Sequence, residues 1–347
     1  MDLTGFLNEL ITAPGVSGGE TCVADIVERH FRKHTDDVWR DPMGSIFCRI
    51  GKGKPVLMLM AHMDEIGMMV QRIEDNGTLR LAPIGGVDPR TLPGSEVQVY
   101  GREVCRGIIG AAPEEKAGKK RDYAYGIEDL VCDLGMSAEQ VKDRVSAGDF
   151  VTFDNVPLLR LQDGFFSGKT MDDRALVAAL CETLEMLSRV SLNCTVVFAA
   201  SVQEERGCLG AGPAARGVEP DLAVAADVGH APIAGARPED VLQTDKLGFE
   251  TGGNIHPGVF RLLTEAAENL RIAYEVKATM GHTGTDAWNI QNQMGGIPTG
   301  VLSVPLKYMH TSVETLSIET LHNAARLLTE MAVRLDDTWE ANLCWND

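Results

Sequence analysis

Eight side chains that can bind metal or move protons stand where apolar runs of this sequence stop or a helical pattern starts. The run 56–61 (VLMLMA) gives way to His62-Met63-Asp64, and 196–202 (VVFAASV) to Gln203-Glu204-Glu205. Asp227 follows the run 222–226, and His310 follows 299–304 through Pro305-Leu306-Lys307-Tyr308-Met309. Asp172-Asp173 opens a helical pattern just after Lys169. Buried parallel strands read as continuous apolar runs, and open α/β sheets bind ligands beyond the carboxyl ends of their strands. Scattered surface acidity would not respect that pattern.

The residue types suggest a metal site. Residues two apart on extended backbone point the same way, so Asp64 can reach the ring nitrogen of His62 that a metal would leave free. Two imidazoles and three carboxylates suit two divalent ions sharing one carboxylate. Imidazole with carboxylate matches zinc, cobalt or manganese, and the lack of thiolates argues against a structural zinc site. Such a pair can hold a hydroxide, with one glutamate of Glu204-Glu205 ligating and the other acting as general base.

Taken singly, each residue has a plainer role. His62 could be a core histidine, Asp172-Asp173 a helix cap, and Glu204-Glu205 a solvated strand end. Their common placement at strand ends favours one site. His230 and His282 rank below the others as ligands. His282 precedes the turn Gly284-Thr285-Asp286-Ala287, so His282, Gly284, Thr285 and Asp286 are candidate substrate contacts. His256, at a helix start, reads as structural.

The elements that must position these groups can be followed along the chain. Leu3, Phe6, Leu7, Leu10 and Ile11 predict a first helix, and Ser17-Gly-Gly-Glu20 reads as a capping box opening a second. Asp41-Pro42-Met43-Gly44 is a turn between strands. From Met68 to about Asp163, short alternating runs and turn signals at 75–77, 84–86 and 92–94 predict a compact β domain. Its helix starts at the capping box Ser137-Ala-Glu-Gln140, and the polar stretch 111–125 reads as a mobile loop. Beyond Lys169 the α/β rhythm resumes. It gives a helix over 173–190, a Gly-rich helix start at Gly207, a helix near 257–270 and a strand over 274–278. A helix after Gly284 and an amphipathic helix over 317–336 complete it. An α/β domain interrupted by a β domain follows.

The 347 residues carry a net charge of −18, which disfavours nucleic acid and anionic membranes as partners. Met1-Asp2-Leu3-Thr4-Gly5 lacks the marks of a signal peptide, and no apolar stretch is long enough to span a bilayer. The eight cysteines form no CxxC pair. Reduced, mostly buried thiols in a cytoplasmic protein are expected.

At these same residues the sequence resembles the M42 family of metallo-aminopeptidases, which includes glutamyl aminopeptidases and the tetrahedral TET peptidases. The matching stretches are AHMDEIG (61–67), MDDR (171–174), VQEERGCLGA (202–211), AADVGHAP (225–232), GTDA (284–287) and VPLKYMHTSVE (304–314). IEDLVCD (127–133) and AGDFVTFD (147–154) are similar to the family's dimerisation domain. The resemblance implies a three-layer α/β/α dinuclear-metal peptidase domain, residues 1–67 and 164–347, interrupted by a barrel-like dimerisation domain, residues 68–163. It implies that His62 and Asp227 bind one divalent ion, Glu205 and His310 the other, and that Asp172 bridges them. Glu204 would be the general base, Asp64 would orient His62, and the Asp172–Asp173 peptide would be cis. It further implies peptide substrates trimmed from the N-terminus, and dimers that build a dodecamer. Leu176, Lys307 and Thr311-Ser312 depart from the family pattern without removing a ligand or the base. Two other functions stand beside this one: a glycosidase, since proteins of this family have been described as cellulases, and a self-assembling scaffold with a vestigial site.

Overall fold

In Val56–His62 (β3), Leu57, Leu59 and Ala61 enter one core while Met58 and Met60 enter another. Thr195–Ser201 (β12) divides the same way, with Val196, Phe198 and Ala200 on one side and Val197 and Ala199 on the other. A strand that buries both faces must lie inside a sheet covered on both sides. The computed structural model, which describes residues 1–112 and 124–343, shows that sheet. Most of the expected loop over 111–125 lies outside the described residues.

The sheet has eight strands in the order β1-β2-β12-β3-β13-β16-β14-β15. Besides β3 and β12 these are Val38–Arg40 (β1), Ile46–Gly51 (β2), Leu222–His230 (β13), Leu247–Gly252 (β14), Tyr274–Thr279 (β15) and Thr299–Leu306 (β16). The neighbours β12, β3, β13 and β16 are mutually parallel, so their carboxyl ends lie along one edge. Helices Leu3–Thr12, Thr21–Phe31, Met171–Leu187, Pro257–Leu270 and Ile318–Arg334 cover one face, and Ala211–Val218 and Ala287–Ile290 the other.

Between β3 and β12 the chain forms a closed barrel, in the order β4-β5-β8-β7-β6-β9. Its strands are Gly67–Ile73 (β4), Leu79–Ile84 (β5), Glu96–Tyr100 (β6), Val104–Ala111 (β7), Leu130–Asp133 (β8) and Phe150–Phe153 (β9). Val97, Val99, Cys105, Ile109, Val151 and Phe153 alternate into its own core, separate from the other two. A small sheet of Leu159–Arg160 (β10), Phe165–Gly168 (β11) and Glu314–Ser317 (β17) returns the chain to the main domain. The fold is thus mixed α/β with an inserted six-stranded barrel. Among the described residues no helix is long and apolar enough to cross a membrane.

Several local expectations change. The Ser137–Gln140 capping box forms, but the second helix starts at Thr21, with Glu20 at its N-cap making no side-chain cap bond. The Ser17 hydroxyl donates to Asp64 instead, because a buried carboxylate is a stronger acceptor partner than a local turn offers. Asp227 does not end its strand; β13 continues to His230 beside β16. A single 3-10 turn, Glu204–Arg206, separates β12 from the helix Ala211–Val218. Of the described cysteines, all free, Cys22 is exposed and the others are buried.

One buried ion network fastens the carboxyl end of β3 to the helices beneath it. Arg174 is fully buried. Its guanidinium donates to the carbonyls of Met63 (2.9 Å), Leu10 (2.7 Å) and Ala13 (2.5 Å), and pairs with Glu65 at 3.2 Å. The other Glu65 oxygen holds Lys169 at 2.6 Å. Arg174 is tolerated in the core because each of its guanidinium nitrogens has an acceptor. Removing one partner from such a network costs about 3–5 kcal/mol. We therefore expect Arg174→Met to lower unfolding stability by about that amount in urea titration; a change under about 1 kcal/mol would contradict it.

Candidate metal and catalytic site

Six chain segments meet at one hollow, four of them from the parallel strands β3, β12, β13 and β16. The cavity, about 180 Å³, is lined by His62, Asp172, Glu204, Glu205, Asp227, Val228, Gly284, Met309 and His310. Larger hollows lie on the barrel, about 340 Å³, where it meets the small sheet, about 480 Å³, and beside His256, about 290 Å³, and none of these three gathers an imidazole with carboxylates.

At its centre the carboxylate of Asp172 lies between two imidazoles, Oδ1 at 3.0 Å from His62 Nε2 and Oδ2 at 3.3 Å from His310 Nε2. His310 Nε2 also approaches Glu205 Oε1 at 3.2 Å, and His62 Nε2 lies 4.0 Å from Asp227 and 3.9 Å from Glu204. Asp172 reaches this point because the first turn of its helix is not helical. Asp172 and Asp173 have extended and bridge-like dihedrals, and the peptide between them is cis, as expected. Neither residue caps the helix; Thr170 takes that position, with a left-handed φ of 58°.

Asp64 stands behind His62, as the period of two predicts. It is fully buried, with Oδ1 3.4 Å from His62 Nδ1. The same carboxylate accepts the backbone N–H of Glu204 at 3.0 Å and of Glu205 at 3.2 Å. Opposite it, the turn after β5 brings in backbone alone. A Cβ on Gly86 would meet His310 Nδ1 at 2.4 Å, so the His310 ring packs where only glycine leaves room.

Of the four candidate substrate contacts, Gly284 lines the cavity. Thr285 and Asp286 are buried, and Asp286 accepts the Ser201 hydroxyl. The exposed His282 accepts Gly284 N–H at 2.8 Å and packs its ring on Trp288. His256 caps the helix Pro257–Leu270 by accepting from Gly258 N–H. The departures from the family pattern are absorbed. Leu176 is buried in the main core, Lys307 Nζ lies 5.3 Å over the Phe165 ring, and Thr311 hydrogen-bonds the Tyr308 carbonyl within its turn.

Sequence reasoning passed over Glu314 at this site, gave Ser17 a different part, and named Asp173 without a role. Glu314 is nearly fully buried and accepts the backbone N–H of Asp172 at 3.0 Å and of His310 at 2.7 Å, tying two site segments together. Asp173 accepts His62 N–H with one oxygen, and its other oxygen has no partner. Ser17 reaches Asp64. The only advance signal was position: Asp173 and Glu314 lie inside the motifs that carry the site.

The electrostatics fit cations. Burial opposes charge on His62, but hydrogen bonds to Asp172 and Asp64 hold its imidazole well above the ordinary value. For His310 burial is likewise outweighed by Asp172 and Glu205, which push it up to about 11. Burial pushes Glu204 up to about 8 and Asp227 well above the carboxylate range. Among the described residues no lysine or arginine lines the cavity. Its carboxylates therefore need protons or bound cations as counter-charge. Donor atoms of His62, Asp172 and Glu205 lie within 4.8 Å of one another, as do those of His62, Asp173 and Asp227. Imidazole with carboxylate, in this number and proximity, fits divalent metal.

Known proteins share both the sequence and the fold. The family profile of M42 glutamyl aminopeptidase matches residues 44–327. The lysyl aminopeptidase of Pyrococcus furiosus is 31% identical over 331 residues, covering 92% of this chain and 94% of that one. Among solved structures, the aminopeptidase APDkam598 of the archaeon Desulfurococcus kamchatkensis is 32% identical with a TM-score of 0.91, covering 98% of this chain and 97% of its own. The TET1 peptidase of Pyrococcus horikoshii, which can assemble into a tetrahedron or a large octahedral shell, is 29% identical with a TM-score of 0.84, covering 96% and 100%. An endoglucanase structure from Thermotoga maritima is also alike, at 27% identity and a TM-score of 0.77, covering 97% of each chain. This chain belongs to the M42 glutamyl aminopeptidase family, and it is an aminopeptidase, a hydrolase of peptides.

Proposed function

We propose that the aminopeptidase reaction of this chain depends on two divalent ions, zinc, cobalt or manganese. His62 and Asp227 would hold one, Glu205 and His310 the other, and Asp172 both. The observation that carries this is the Asp172 carboxylate, with one oxygen toward each imidazole. Bound ions would acidify a water molecule and polarise the scissile carbonyl.

The protein groups then divide the remaining work. Glu204 lines the cavity without standing between the imidazoles, and burial favours its protonated form. Once bound cations favoured its charged form, that strongly basic carboxylate would be suited to take a proton from the attacking water and give it to the departing amine. Asp64 holds the His62 ring and the Glu204 backbone in fixed relation. Val228, Gly284 and Met309 supply the uncharged wall against which the N-terminal residue of a peptide would lie.

Residues 68–163 would serve assembly, as dimers that build a dodecamer. The exposed barrel residues Val104 and Ile108 and the assemblies formed by the TET1 peptidase support this. A glycosidase is the second reading, favoured by the likeness to the endoglucanase. It leaves both imidazoles without a part to play, since two carboxylates suffice for glycoside hydrolysis. An inert scaffold leaves the whole gathered donor set unexplained.

Two outcomes follow. Glu204→Gln should bind as much metal as the wild type by elemental analysis, yet cleave aminoacyl-p-nitroanilides about 10²–10⁴-fold more slowly. Full activity in that variant refutes Glu204 as base. Second, His310, one of the proposed ligands, holds a proton at neutral pH, so metal binding must displace it. Titration calorimetry in buffers of different ionisation enthalpy should show proton release, with affinity rising as pH rises; proton uptake would contradict the ligand assignment.

A further inference from the structure

The turn Ser17-Gly18-Gly19-Glu20, which reads as a helix cap, lies against the catalytic strand ends. Ser17 is 6% exposed, and its hydroxyl donates to Asp64 Oδ2 at 2.6 Å. Glu20, equally buried, uses Oε1 to accept from Gly18 N–H at 2.8 Å and from Gln203 N–H at 3.2 Å. The turn is fixed to the chain after β3 by a bridge between Val16 and Glu65, in which Ser17 N–H donates to the Glu65 carbonyl at 3.3 Å. On its outer side Gly19 meets the barrel, where a Cβ would come within 2.8 Å of the Phe150 ring.

Two strand ends thus depend on this turn. Asp64 has four partners: the His62 ring, the N–H groups of Glu204 and Glu205, and the Ser17 hydroxyl. Only the hydroxyl comes from outside the strand ends, and it makes the shortest contact. It is thus placed to fix which way the carboxylate faces, and that carboxylate contacts the His62 ring and the N–H groups of both glutamates. Gln203, just before them, has a left-handed φ of 57°, a conformation that a residue with a side chain adopts uncommonly. Glu20 holds its N–H in that conformation.

We propose that Ser17 and Glu20 are positioning residues for peptide hydrolysis. Ser17 fixes the rotamer of Asp64, Glu20 fixes the peptide leading into Glu204, and together they set the 3.9 Å separation of His62 Nε2 and Glu204 Oε2. The proposal rests on the reading of Glu204 as base. A merely structural turn would affect stability; a positioning turn affects turnover, because outer partners of a metal ligand typically carry 10–100-fold in affinity or activity.

The test compares full-length wild type, Ser17→Ala, Ser17→Thr, Glu20→Leu and Glu20→Gln on the aminoacyl-p-nitroanilide that the wild type cleaves fastest. Ser17→Ala should lose about tenfold in kcat, with KM within about twofold and metal content unchanged. Ser17→Thr, which keeps the hydroxyl, should recover most of that loss. Glu20→Gln, which keeps an acceptor oxygen, should turn over faster than Glu20→Leu. A folded Ser17→Ala with wild-type kcat, or Ser17→Thr no better than Ser17→Ala, overturns the proposal. If Ser17→Ala does not fold, Ser17→Cys replaces it: its weaker donor should lower kcat, and a wild-type kcat overturns the proposal. Glu204→Gln run alongside separates the two ideas. Activity in that variant removes the reading of the site, whereas an inactive Glu204→Gln beside a fully active Ser17→Ala removes only the positioning role.

Discussion

A single carboxylate shared between two imidazoles is the constraint around which this structure is arranged. Asp172 faces His62 with one oxygen and His310 with the other. For that to occur, the end of β3, the start of the long helix and the segment after β16 must meet. The parallel sheet brings the strand ends to one edge, and the distorted first turn Asp172-Asp173 turns the carboxylate into the cavity. Glu314 then clamps the Asp172 and His310 backbones from the small sheet. Even the barrel takes part, because the turn at Gly85-Gly86 closes over Glu205 and His310 with no side chain in the way.

Two kinds of buried charge lie side by side here, and their difference separates support from function. In the Arg174–Glu65–Lys169 network, two cations share one carboxylate, and the guanidinium is further satisfied by backbone carbonyls, so its partners come from within the chain. In the cavity, carboxylates outnumber any cation the chain provides. The raised value of His310, between Asp172 and Glu205, expresses that imbalance, while burial raises Glu204 and Asp227. A core that tolerates the second cluster has a reason to keep it, and divalent ions offer the simplest one.

What could be read from the sequence follows from the range of the physics involved. The site strands were legible because burial on both faces leaves uninterrupted apolar runs such as Leu57–Ala61, and the run ends mark the chemistry. Asp64 was legible from the period of two. The inserted barrel was legible from alternation and turns, and its closure was not, since pairing between β4 and β9 joins residues far apart in the chain. Arg174 and Glu314 gave no local sign of burial, because the partners that make burial tolerable come from other segments. Ser17 was misassigned for the same reason: the pattern Ser-x-x-Glu is local, while the competing carboxylate of Asp64 is brought in by the fold. The Asp172–Asp173 cis peptide came only from family resemblance.

The most direct test of the account is a crystal structure of the cobalt- or zinc-loaded protein with anomalous diffraction measured at the metal edge. Two peaks should flank the Asp172 carboxylate, one beside His62 and Asp227 and the other beside Glu205 and His310. A lone peak, or peaks away from Asp172, would contradict it.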